Sequence, residues 1–168
     1  MPVRAPARKL DEFEDLVYQY SNGMNRQDGE ERWDIDSAAA DLRFESATQG
    51  PPARVSFLLN VTPKMCNPVG TLHGGCAATL IDILSTTLLL GLSKPGYFSF
   101  GGVSRNLRVT YLRPLPKGLE IRLVCELIHT GKRLALMRAE IQRADNGAVC
   151  VVGEHEKANT DPEADGRI

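Results

Sequence analysis

A chain of 168 residues with 42% hydrophobic content suits one globular domain with a core of its own and is short for two. The net charge of -1 argues against a general nucleic-acid binder, yet the charge is uneven: residues 1–50 hold six Lys/Arg against eleven Asp/Glu, and Lys94 to Arg143 hold ten against three. The second half can face an anion, and four cysteines with no C-x-x-C pair (Cys66, Cys76, Cys125, Cys150) suggest neither a zinc site nor a disulfide scaffold, which fits a reducing compartment.

The start, MPVRAPARKL, is basic and free of acids, but Pro2 and Pro6 oppose an amphipathic transit helix and no secretory apolar region follows. A cytoplasmic location is expected, with a mitochondrial one as the alternative. In LDEFEDLVYQYS, Leu10, Phe13, Leu16, Val17 and Tyr20 recur at helical spacing and predict a surface helix. SNGMNRQDGEERWDID reads as a polar loop, with Trp33 pinning it to the body. DLRFESAT and RVSFLLNVT alternate and flank the turn QGPPA, which predicts a hairpin with Val55, Phe57, Leu59 and Val61 on one face.

After a long apolar segment come GGVSRNLRVTYL, LEIRLVCELI, RLALMRAEIQ and AVCVVGEH, separated by RPLPKG, HTGK and ADNG; such short connections predict antiparallel neighbours. The fold class is therefore α+β, with about six antiparallel strands around one long central helix and an extra N-terminal helix. The expected organisation is an N-terminal extension over 1–38, the main domain over 39–159 and a flexible tail over 160–168.

The central segment, NPVGTLHGGCAATLIDILSTTLLL, carries one charge, Asp82, between Lys64 and Lys94. A helix so poor in charge must be wrapped by other elements, since a surface helix keeps a charged face. Asp82, Ser85, Thr86 and Thr87 interrupt the apolar run, so no membrane span is expected. Asn67, Gly70, Gly74 and Gly75 place an amide, a tight turn and free backbone N–H groups at the helix mouth, the equipment for holding a carbonyl oxygen as it gains charge. Thr79, Asp82 and Thr86 share a helix face; such a line is either a solvent edge or an active-site wall, and the absence of Lys, Arg or Glu along it favours the wall. His73 and Asp82 stand roughly 13 Å apart along one helix axis, which removes a dyad within one chain. No G-x-S-x-G elbow is present, and Cys76 among alanines reads as packing.

N-P-V-G-T-L-H-G-G, an Asp eight residues after the first glycine of the pair, then G-V-S and V-T-Y-L-R-P together resemble the hot-dog-fold acyl-CoA thioesterases, in particular the group with thioesterase superfamily member 2 and the bacterial phenylacetate-pathway thioesterases. The resemblance covers roughly residues 39–159. It implies a homodimer or dimer of dimers, with active sites at the dimer interface, acting on fatty acyl-CoA of medium to long chain, with aryl-acetyl groups as the alternative, and without a cofactor or metal. By the same likeness Asp82 is general base or nucleophile, Asn67 positions water or substrate, Gly74 gives its N–H to the thioester oxygen, and Ser104 orients the attacking water. His73 shapes the loop. Asp82 and Ser104 would come from one subunit, and Asn67, His73 and Gly74 from the other. Arg105 and Asn106 after G-V-S depart from the family's Val-Asp-Leu pattern.

Coenzyme A brings phosphates that suit the basic half of the chain. The resemblance places the nucleotide across Tyr111 to Pro116, Thr130 to Ala135 and near Asn159, which offers Tyr111, Arg113, Thr130, Gly131, Lys132, Arg133 and Asn159, with Lys117 and Lys157 nearby. A hot-dog hydratase or dehydratase is the nearest enzymatic rival, but neither a His-Phe-Pro loop nor a Gly-Asp followed by histidine occurs. A non-catalytic acyl-CoA-binding protein is the rival of another class, and Asp82 is the feature against it.

Overall fold

Val55, Phe57 and Leu59 recur at the two-residue period of a strand and are all fully buried on one face of β2 (Arg54–Asn60). β1 (Arg43–Thr48), β3 (Val103–Tyr111), β4 (Glu120–Thr130), β5 (Leu134–Arg143) and β6 (Val149–Ala158) are the other strands of this computed structural model, which describes residues 3–23 and 40–162. The polar loop with Trp33 and most of the tail lie outside the described residues. The strands form one antiparallel sheet in the order β1-β2-β4-β5-β6-β3.

β1 and β2 form the expected hairpin, and the turns after β4 and β5 join neighbours. The connection through RPLPKG does not. β3 pairs with β6, and β4 lies between β2 and β5. Residues 112–119 reach roughly 26 Å when extended, ample for crossing three strand spacings of about 4.8 Å each. Buried Leu115 and the bridge from Thr71 to Pro116 pin the crossover down.

The sheet packs on α2 (Gly74–Gly91), whose C-terminal half is buried on all sides. By length and composition this helix could cross a bilayer. Its enclosure by the sheet accounts for that composition. At Gly153 of β6 an added Cβ would stand 2.8 Å from Ile81 Cδ1, so a glycine is what lets the helix sit this close to the sheet.

α1 (Glu12–Gly23) forms where periodicity places it, but its inner face is rotated from the expected stripe. Val17, Ser21 and Glu14 are buried, whereas Leu16 is exposed. The helix can turn a carboxylate inward because Glu14 is met by Arg8 at 2.6 and 2.7 Å and accepts from the backbone N–H of Ala47. The Arg8 bond holds the Glu14 carboxyl at about 2 against the penalty of burial.

Candidate active site

His73 caps α2. Its Nδ1 accepts the N–H of Gly75 at 3.0 Å, one of the first-turn groups that a helix cannot satisfy itself, and its own N–H donates to Met65 O. Ahead of it Asn67 ties a tight loop: Oδ1 accepts from the N–H groups of Val69 and Thr71, and Nδ2 donates to Thr71 Oγ1 at 2.9 Å. Gly70 closes that loop with φ +80. Tyr111, at the end of β3, donates its hydroxyl to Gly74 O at 2.8 Å and fills the space that a side chain at Gly74 would need. Asn67, Gly74, Ala77, Tyr111 and Arg113 thus line one groove of ≈ 440 Å³.

Asp82 belongs to a second cluster. Ser104 Oγ donates to Asp82 Oδ1 at 2.7 Å, and His155 Nε2 lies 3.1 Å from the same oxygen and 2.9 Å from Ser104 Oγ. A β-bulge between Ser104 and Asn106 marks the strand at this point. The other ring nitrogen of His155 meets Ser85 Oγ at 2.7 Å. A hydroxyl proton from Ser85 on Nδ1 and an imidazole proton on Nε2 satisfy all these contacts together.

The Asp82 side chain is 42% exposed, and His155 is fully buried beside it. The bond from His155 does most to hold the Asp82 carboxyl down at about 2; partial burial opposes it, and Ser104 and the charge of Lys157 reinforce it. Both close contacts fall on Oδ1, which leaves Oδ2 for a water or a substrate. The arrangement is an ionised, braced carboxylate at the edge of an apolar rod, apart from a helix mouth supplied with backbone N–H groups. In the first turn, burial pushes the Cys76 thiol up, away from a reactive thiolate.

Comparison with known proteins decides the family. The model of the thioesterase superfamily matches residues 69–150, which hold His73, Gly74, Asp82 and Ser104. Human acyl-coenzyme A thioesterase 13 is 32% identical over 106 residues, 63% of this chain and 73% of that protein. The chain belongs to the thioesterase superfamily. The solved structure of thioesterase superfamily member 2 from Mus musculus matches with a TM-score of 0.61 at 31% identity, covering 70% of this chain and 80% of that one. The PaaI protein of the E. coli phenylacetic acid degradation operon shares the fold at a TM-score of 0.68 and 17% identity, covering 90% and 99%. The six-stranded sheet on a long helix is the hot-dog fold, and thioester hydrolysis is the activity of this superfamily chain.

Within this thioesterase, the residues expected at the site fall into three places. Asn67, His73, Gly74, Tyr111 and Arg113 gather at the helix mouth, and Asp82 meets Ser104. Thr130, Gly131, Lys132 and Arg133 form the turn after β4, where Thr130 Oγ1 bonds the Tyr97 hydroxyl. Asn159 braces this turn, with Nδ2 donating to Lys132 O and Gly96 O and Oδ1 accepting from Phe98. Lys117 is exposed within the crossover, its N–H on Gly70 O. Arg105 faces outward and pairs with Glu156 at 2.9 Å.

Lys157, expected near the nucleotide, lies instead buried with Nζ on Thr86 Oγ1. Sequence reasoning also missed His155 and Ser85. A signal for the first was present: Val151, Gly153, His155 and Lys157 alternate along β6 on its buried face, so two ionisable residues occupy core positions.

Proposed function

We infer that the chain hydrolyses fatty acyl-CoA thioesters of medium to long chain with Asp82 as general base. The observation that carries this reading is the half-exposed Asp82 carboxylate, held through Oδ1 by Ser104 and buried His155 with Oδ2 left over. Oδ2 takes a proton from water, and the resulting hydroxide adds to the thioester carbon. The carbonyl oxygen becomes an oxyanion facing the N–H of Gly74 at the helix mouth, with the remaining N–H of Asn67 Nδ2 close by. The C–S bond then breaks, and the thiolate of CoA leaves with the proton held by Asp82. A carboxyl near 2 is a weak base in the free protein. Covering it with substrate removes solvent and raises it toward its task. No cofactor enters the scheme.

One chain does not bring both halves of this site to one carbon. Gly74 and Asp82 are eight residues apart on one helix, roughly 12 Å. β3 supplies the remedy, as an edge strand of nine residues with Val103 and Tyr111 both more than half exposed. Antiparallel pairing of two copies about a two-fold near Leu107 sets Ser104 opposite Thr110 of the partner subunit, one residue from the Tyr111 that bonds Gly74. The dimer is thus the smallest working unit, and pairs of dimers are compatible with it. Arg113 follows Tyr111 closely enough to meet CoA phosphates.

Thiol release from acyl-CoAs of graded chain length, by the natural protein and by Asp82→Asn, tests the reading. Medium and long chains should turn over best, and the variant should lose roughly a hundredfold or more with its fold retained. Near-normal turnover by a folded Asp82→Asn protein contradicts the proposal.

A further inference from the structure

Lys157 lies two residues beyond His155 on the inward face of β6 and is only 4% exposed. Nζ donates to Thr86 Oγ1 at 2.9 Å, and Thr86 Oγ1 donates to the backbone oxygen of Asp82 at 2.7 Å. A hydroxyl satisfies one N–H of an ammonium and none of its charge. Burying that charge costs several kcal/mol unless an anion answers it.

Among the described residues, the charge that acts on Lys157 is that of Asp82 from α2, and the neighbouring ionisable side chain of that cluster is His155 from β6 itself. The strands flanking Lys157 place Ser104 of β3 and Ala135 of β5 beside it in register, and neither is charged. Glu156 points to the outer face and pairs with Arg105. Asp82 is the anion whose charge acts on the buried ammonium, and Thr86 links the two through the Asp82 backbone oxygen. The influence runs both ways: burial lowers the Lys157 pKa while Asp82 raises it, and Lys157 in turn helps to lower that of Asp82.

We propose that Lys157 is a positioning residue for Asp82: its ammonium fixes the α2 turn through Thr86 and supplies the buried positive charge that keeps the carboxylate ionised once substrate covers it. The proposal rests on Asp82 as the working carboxylate. It gives the inward Lys157 a role in the acyl-transfer chemistry in place of nucleotide binding. It also explains why Thr86 continues the polar line of Thr79 and Asp82 into the buried half of α2.

The test reads Asp82 directly, by carbon-13 NMR titration of its carboxyl in the full chain, assigned by loss of the signal in Asp82→Asn. Lys157→Met keeps much of the stem and removes the charge. Its Asp82 titration should move to higher pH, and kcat for acyl-CoA should fall, because the α2 turn is no longer held through Thr86, with KM little changed. Lys157→Gln retains a donor for Thr86 and replaces Met if that variant does not fold. Thr86→Val, which cuts the bridge and leaves the charge, should lower kcat with a smaller change in the titration. An Asp82 titration unmoved in a folded variant without the charge overturns the proposal, even where Asp82→Asn abolishes thiol release. Retained turnover in Asp82→Asn would instead overturn the assignment of the reaction and leave the titration readable.

Discussion

Ser104 and His155 approach the same oxygen of Asp82, Oδ1, from two strands that are neighbours only through long-range pairing. The pair orients the carboxylate as well as stabilising it, because an acceptor bound on one oxygen presents the other in a fixed direction. Ser104→Ala and His155→Gln should therefore each lower kcat for acyl-CoA by roughly tenfold or more, with smaller changes in KM. In His155→Gln the acid limb of kcat/KM should also move to higher pH, since the largest influence lowering the Asp82 pKa is gone. Profiles of kcat/KM carried down to the lowest pH at which both proteins stay folded check this. A profile unchanged in both variants would mean that the cluster is scaffolding.

Acid should loosen the fold through two carboxyls. Asp82 and Glu14 both lie near 2 in the folded chain, against ordinary values of 3.8 and 4.5. Between those limits the unfolded chain binds more protons, so the stabilisation they give is full above the ordinary values and lost as pH falls toward about 2. Melting temperatures measured from pH 7 down to 3 should decline below about 4.5. The decline should be shallower in Glu14→Gln, which begins less stable at pH 7 because Arg8 loses its anion.

Replacing Arg113, Lys132 and Arg133 with alanine should raise KM for acyl-CoA and flatten its dependence on salt. A short pantetheine thioester, which lacks the nucleotide phosphates, should be affected much less. Equal effects on both substrates would place these cations in the fold or at the reacting centre.

Gly91→Ala tests how tightly α1 sits on α2. Alanine gains about 1 kcal/mol of helix propensity over glycine. Its Cβ would stand 2.5 Å from Cγ2 of fully buried Val17, and overpacking of that kind costs about 1–3 kcal/mol. The clash should win and lower the melting temperature. A raised melting temperature would show that the α1–α2 contact yields freely.

Much of this was legible in the chain. Asp82 announced itself as the one charge between Lys64 and Lys94, and the strands announced themselves by alternation. The loop and cap built by Asn67 and His73 follow from residues close in sequence. What stayed hidden is what depends on distant pairing. Lys157 reads as another surface cation until β6 is set between β5 and β3 and the side of the strand it occupies is known. His155 becomes a partner of Asp82 only through the same register. The crossover after β3 escaped for a related reason: a short connection predicts a neighbour, whereas this one spans the sheet because β3 finds its pairing with β6. The inward turn of Glu14 depends on Arg8, which lies outside the helix whose face it rotates.

A subunit-mixing experiment tests the shared site most directly. Asn67→Ala and Asp82→Ala proteins, each folded and inactive, are dissociated, mixed in equal amounts and allowed to pair again. Random pairing makes about half of the dimers mixed, and a two-fold interface gives each of these one site with both residues intact and one with both lost. Thiol release from acyl-CoA should then return to roughly a quarter of the natural rate. If both residues served a site within one chain, every site in the mixture would carry one defect. No recovery, with subunit exchange verified separately, would contradict the account.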